Sequence, residues 1–171
     1  LKQKRKAISY YEQAIQIAQN IGDKRTERMF LGNMGNAYSS IGNLKFSIEY
    51  YKRALSIARQ MGDRRAEAIY LGNIGLFYSD LGEYQMALET LLSCVKLTKE
   101  TNDRYHEATY LDGVGKVYFR IGKHEQALSA YNEVILLAKE IGNISTMILS
   151  LESIANVYST IGKYEMSIQH F

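Results

Sequence analysis

The chain has 171 residues, 46% hydrophobic and 23% charged, with a formal net charge of +3, a globular composition rather than a disordered one. So small a charge, with both signs mixed along the chain, gives no footing for a nucleic-acid partner. The single cysteine, Cys94, excludes an intrachain disulfide and favours a cytoplasmic setting. No stretch approaches the roughly 18 consecutive apolar residues of a membrane span. The opening Lys2, Gln3, Lys4, Arg5 and Lys6 is not followed by the apolar segment of a signal peptide; spread around a helix, it reads as a solvated face. The chain opens without Met and stops at Phe171 inside a helical pattern, so it is expected to be a piece of something longer.

In chain order, the first element is a helix over 3–20, with Ile8, Tyr11, Ala14, Ile15 and Ala18 at steps of three and four. Ile21-Gly22-Asp23 then breaks the pattern, and the same punctuation returns as Met61-Gly62-Asp63, Thr101-Asn102-Asp103 and Ile141-Gly142-Asn143. A second series, Ile41-Gly42, Leu81-Gly82, Ile121-Gly122 and Ile161-Gly162, recurs every 40 residues, half a period out of step with the first. Such a repeat has to be read before any secondary structure. Gly or Asn closes one helix, and the following Asp or Asn caps the next by accepting from its free N–H groups. The expected elements are therefore helices at 23–41, 43–60, 63–81, 83–100, 103–121, 123–140 and 143–161, and a ninth from 163. Glu27, Glu67 and Glu107 place negative charge in early turns, where the helix dipole favours it. With no proline present, nothing interrupts the helices.

Each repeat thus holds a helix A and a helix B. Helix A carries Leu31, Met34, Tyr38 and Ile41, a stripe repeated as Leu71, Ile74, Tyr78 and Leu81, then by Leu111, Val114, Tyr118 and Ile121, and again by Leu151, Ile154, Tyr158 and Ile161. Glycine inside a helix costs about 1 kcal/mol relative to alanine, so the column Gly35, Gly75, Gly115 and Ala155 needs a reason. Together with the small column Ala7, Ser47, Ala87, Ala127 and Ser167, it lets helices A and B approach closely, with Tyr and Leu filling the space beside them.

These columns, as in Leu111-x-x-Val114-Gly115-x-x-Tyr118 followed by Ala127 and Tyr131, resemble the tetratricopeptide repeat over the entire chain. The 40-residue period and the missing closing proline are similar to the longer variety found in kinesin light chains, Pins-type spindle scaffolds and bacterial regulators. The resemblance implies an all-α fold, an α-solenoid of antiparallel helix pairs in a right-handed superhelix. The expected organisation is a single array over 1–171: a helix B at 1–20, full repeats at 21–60, 61–100 and 101–140, and a truncated one at 141–171.

In such repeats helix A lines the concave side, so the resemblance also implies a groove. Its candidate residues are Met29, Asn33 and Asn36; Ile69, Asn73, Leu76 and Asp80; Thr109, Asp112, Lys116 and Arg120; and Asn156. The same mapping brings Ser39, Ser40, Ser79, Phe119, Leu149, Glu152, Ser153, Ser159 and Thr160 to the groove. Asn33, Asn73 and Asn156 resemble asparagines that hold a bound segment's backbone, since an amide both donates and accepts; bonds within the scaffold are the other reading. Gly32 and Gly72 would leave the groove floor bare, unless helix crowding alone explains them. Lys116 and Arg120, four apart on one face, suit a carboxylate, although Asp112 is placed to pair with Lys116.

Catalytic, cofactor and metal sites are not expected. His106, His124 and His170 are scattered, Cys94 shares a packing column with Ala14, Ala54 and Val134, and His124 shares one with Leu44, Tyr84 and Tyr164. Gly113-Val114-Gly115 lies inside a helix with no strand before it, unlike a phosphate loop. The reading is a protein- or peptide-binding scaffold. The alternatives are a ligand-sensing array of a bacterial multidomain regulator, or end-to-end homo-association through uncapped ends.

Overall fold

The computed structural model describes residues 2–162, and their side chains from Lys6 onward. Eight helices occupy them: α1 (Lys2–Asn20), α2 (Lys24–Ser40), α3 (Leu44–Gln60), α4 (Arg64–Asp80), α5 (Tyr84–Glu100), α6 (Arg104–Arg120), α7 (His124–Glu140) and α8 (Ile144–Thr160). The ninth expected helix, from 163, lies outside the described residues. Each helix ends on a residue in the left-handed region, such as Gly62 with φ 67°. Asn102, with φ 52°, fills the same place at Thr101-Asn102-Asp103 and is the one such residue other than glycine among the described residues. The next amide folds back to close the helix, Asp63 N–H donating to the Ala58 carbonyl at 2.9 Å. Asp23, Asp63, Asp103 and Asn143 then cap the A helices α2, α4, α6 and α8 as expected, each accepting an N–H three residues on. Among the B helices, Asn43 caps α3, whereas α5 and α7 begin at Glu83 and Lys123 without a side-chain cap.

Consecutive helices pack antiparallel, and α4 also touches α6 one repeat on. The glycine column is where A and B meet. A β-carbon on Gly35 would lie 2.9 Å from Tyr51 Cδ1, on Gly75 2.7 Å from Leu91 Cγ, and on Gly115 2.6 Å from Tyr131 Cε1. Opposite them Ser47, Ala87 and Ala127 are fully buried, and the Ser47 hydroxyl donates to the Gly35 carbonyl at 2.7 Å. Cys94 is buried as a small apolar residue, its thiol donating to the Ala68 carbonyl and its pKa pushed up to about 12 by burial. His124 packs against Phe119, as its column suggested.

The early-turn glutamates do more than meet the helix dipole. They are buried, and each ties its A helix to the end of the B helix before it. Glu27 accepts from Gln19 at 2.7 Å and from Lys24 at 2.8 Å; Glu67 accepts from Arg59 at 2.9 Å and Arg64 at 3.2 Å. Glu107, the most buried, accepts from Arg104 at 2.9 Å with Lys99 at 3.9 Å. Burial pushes the Glu27 carboxyl up, but the bonds from Lys24 and Gln19 outweigh it and hold it below the usual range. In the fourth repeat Ile144 and Met147 stand in place of the base and the acid, and Ile144, Ile148 and Leu149 are exposed.

Of the two readings of Gly32 and Gly72, the structure favours crowding. Gly32 and Gly72 do not leave a bare groove floor; both are buried, because a tyrosine of the following A helix lies on each. A β-carbon on Gly32 would meet Tyr70 Oη at 2.9 Å, and one on Gly72 would fall within the ring of Tyr110. The Tyr110 phenol then donates to the Ile69 carbonyl at 3.3 Å. Helix crowding, rather than access for a partner, explains these glycines. At the next junction both members change: Asp112 stands in the glycine column and Ser150 in the tyrosine column.

Candidate functional site

The inner face is built from the A helices, with tyrosines of the B helices behind them. Its larger cleft, about 440 Å3, lies where the C-terminal halves of α4, α6 and α8 converge. Asp80, Lys116, Arg120 and Asn156 line it, four of the residues picked out from sequence. Ser79, Phe119 and Ser153 from the same mapping join them, with Tyr84 and Tyr131 behind. Lys116 Nζ sits 2.6 Å from Asp112 Oδ2, so its charge is largely answered within α6. Arg120 forms no ion pair among the described residues and faces into the cleft. The buried Tyr131 phenol is pushed up by burial and then by the Asp112 charge, while the Ser153 bond and Arg120 pull it down.

A second cleft of about 320 Å3 holds Asn33 and Asn36 together with Ala7 and Tyr11 of α1. Between the two clefts the floor is closed. The Tyr51 phenol donates to Asn36 Oδ1 at 2.5 Å and lies beside the Asn73 amide; burial pushes its pKa up to about 12. One repeat on, Leu91 replaces this tyrosine and Gly113 the asparagine, and Leu76 packs against Gly113. Asn73 and Leu76 are therefore tied into the scaffold while remaining half-exposed. Met29, Ile69 and Thr109 mark the N-terminal edge and line neither cleft. Met29 is exposed, Ile69 lends its carbonyl to Tyr110, and the Thr109 hydroxyl donates to the Tyr105 carbonyl.

The helix-B tyrosines are the members that column-by-column reading of helix A leaves out. A signal was present: Tyr11, Tyr51 and Tyr131 each precede Asn33, Asn73 and Ser153 by 22 residues, and the one leucine of the column, Leu91, precedes the one glycine, Gly113.

The comparisons agree with the fold. The tetratricopeptide repeat family model matches residues 1–60 and 65–140. The chain belongs to the tetratricopeptide repeat family. No curated protein matches it. Among solved structures, this repeat array is similar to BtubC (BKLC) from P. vanneervenii, at 16% identity and TM-score 0.89, covering 98% of this chain and 70% of that one. A Rap protein complexed with competence and sporulation factor shares 21% identity at TM-score 0.80, covering 99% of this chain and 47% of that one. TPR-like repeats of a kinesin light chain type from Podosopora anserina share 15% at TM-score 0.81, over 99% and 84%. The tetratricopeptide array spans about half the length of the Rap protein it matches (47%). No helix among the described residues is long and apolar enough to cross a membrane.

Proposed function

We propose that this tetratricopeptide array is a non-catalytic, cytoplasmic scaffold that holds a protein or peptide segment along its inner face, with an acidic side chain or terminal carboxylate of the segment directed to Arg120. The observation that carries the reading is the cleft among α4, α6 and α8. Arg120 enters it without an ion pair of its own among the described residues, beside the hydroxyl of Ser153 and the amide of Asn156. A guanidinium offers paired donors to a carboxylate, and a side-chain amide can bond a peptide group whatever residue carries it. The Rap protein complexed with competence and sporulation factor gives a precedent for a partner bound to a similar fold. A ligand-sensing array remains the second reading, favoured by the likeness to a tetratricopeptide repeat sensor from Pyrococcus horikoshii.

A random peptide library selected on the immobilised chain tests the proposal. The selected peptides should be enriched in Asp or Glu, and Arg120→Ala should weaken the best of them by roughly tenfold, the order of a lost charge-assisted contact. Binders with no acidic preference, unaffected by Arg120→Ala, would defeat it.

A further inference from the structure

The last two residues of the A helices form two columns, Ser39, Ser79, Phe119 and Ser159, then Ser40, Asp80, Arg120 and Thr160. Hydroxyls are the common choice there, and they turn back on their own helix. Ser39 donates to the Asn36 carbonyl at 3.3 Å, while Ser40 donates to the Ala37 carbonyl and Thr160 to the Asn156 carbonyl, each at 2.8 Å. A hydroxyl bonded in this way needs no partner beyond its helix. Three positions depart from the habit: Asp80, Phe119 and Arg120. All three line the same cleft among α4, α6 and α8.

The scaffold does not account for the two charges. Asp80 is the last residue of α4, where the negative pole of the helix disfavours a carboxylate. Neither Asp80 nor Arg120 forms an ion pair, with the other or with a third group, among the described residues. Lys116, the other charge of the cleft, is answered by Asp112 at 2.6 Å. One open charge of each sign therefore remains, on successive A helices. A guest bearing acids alone would satisfy Arg120 and bring a carboxylate toward Asp80. Packed helices lie about 8–10 Å apart, and α4 touches α6. An extended chain of the polyproline type advances about 3.1 Å per residue and returns a side chain to the same side every third residue. Resting on the inner-face reading above, we infer that the guest of this cleft is an extended segment with two opposite charges on side chains about three residues apart. Its Lys or Arg meets Asp80, and its Asp or Glu meets Arg120. Phe119, half-buried between them, receives the aliphatic stem of the basic side chain or an apolar neighbour.

The test selects a displayed library of random residues between constant flanks, which leaves no free terminus near the cleft. It is run on the parent chain, on Asp80→Asn and on Arg120→Ala. Peptides selected on the parent should carry a base and an acid at separations centred on about three residues. On Asp80→Asn the basic preference should vanish while the acidic one stays, and on Arg120→Ala the reverse should hold. The best peptide, remade with capped ends, should lose roughly tenfold in Kd when its base becomes serine, and no further loss should follow on Asp80→Asn. Asp80→Asn should melt no lower than the parent, because it removes an acid from a helix C-terminus, so its effect on binding is not a loss of folding. Acids selected without bases, or bases that persist on Asp80→Asn, would overturn the bipolar guest and leave Arg120 standing as a carboxylate site. Acidic preference indifferent to Arg120→Ala, or no peptides selected at all, would remove both readings.

Discussion

Replacing Gly72 by alanine probes the contact that seats α6 on α4. The added methyl would fall within the ring of Tyr110, a side chain 2% exposed whose phenol bonds the Ile69 carbonyl at 3.3 Å. Alanine gains about 1 kcal/mol of helix preference over glycine. Against it stand overpacking of a buried site, about 3 kcal/mol at the upper end of the usual range, and strain on the phenol bond. The net loss expected is about 2 kcal/mol, a fall in melting temperature of roughly 4–8 °C for a chain of this size. Tyr110→Ser supplies the second arm, because Ser150 already stands in register with a residue bearing a β-carbon, Asp112. The two changes together should cost less than the sum of each alone, by about 1 kcal/mol or more. Thermal and urea melts of the parent, both single variants and the double variant measure this. A Gly72→Ala chain as stable as its parent, or strict additivity, would refute the ring-over-glycine account. The same geometry makes Gly72→Leu at least as costly as Gly75→Leu, since Gly72 is as enclosed as Gly75.

Glu107→Ala should cost about 2 kcal/mol, the order of a lost charge-assisted bond in a buried place, because Glu107 is 1% exposed and receives Arg104 at 2.9 Å. Glu107→Met should recover part of the loss, as Met147 fills the same column; melts in which methionine does worse than alanine would contradict this. Alkali gives an independent check: burial holds the Cys94 thiol and Tyr51 phenol up to about 12 and pushes Tyr110 and Tyr131 up as well. Unfolded thiols and phenols ionise near pH 8.5 and 10, so this stability is intact below about pH 8.5 and lost as pH rises toward 12. A urea midpoint flat through pH 11 would argue against it.

The 40-residue register, the Gly-Asp stops and caps and the burial of Cys94 were legible because each is written within one turn or one column. The contacts between successive A helices were not. Tyr70 meets Gly32 and Tyr110 meets Gly72 across 38 residues, and reading each column alone hides a pairing that spans two. The groove was half-legible for a related reason. Position on helix A brought Arg120 and Asn156 to one cleft, but whether an amide is available depends on the tyrosine behind it, and Tyr51 engages Asn36 beside Asn73. Such partnerships are decided by packing between repeats, which period and propensity do not report.

The ring-over-glycine junction also sets rules for shuffling. The unit 61–100 offers Tyr70 to its predecessor and Gly72 to its successor, so a tandem duplicate of it would mate with itself. The unit 101–140 offers Tyr110 backward and Asp112 forward; duplicated, it would drive an aspartate side chain into a tyrosine ring. Units that look alike in their columns are thus not exchangeable tiles. Their order along the chain is enforced at the joints, and an unequal crossover could lengthen this array at one place and would jam it at the next.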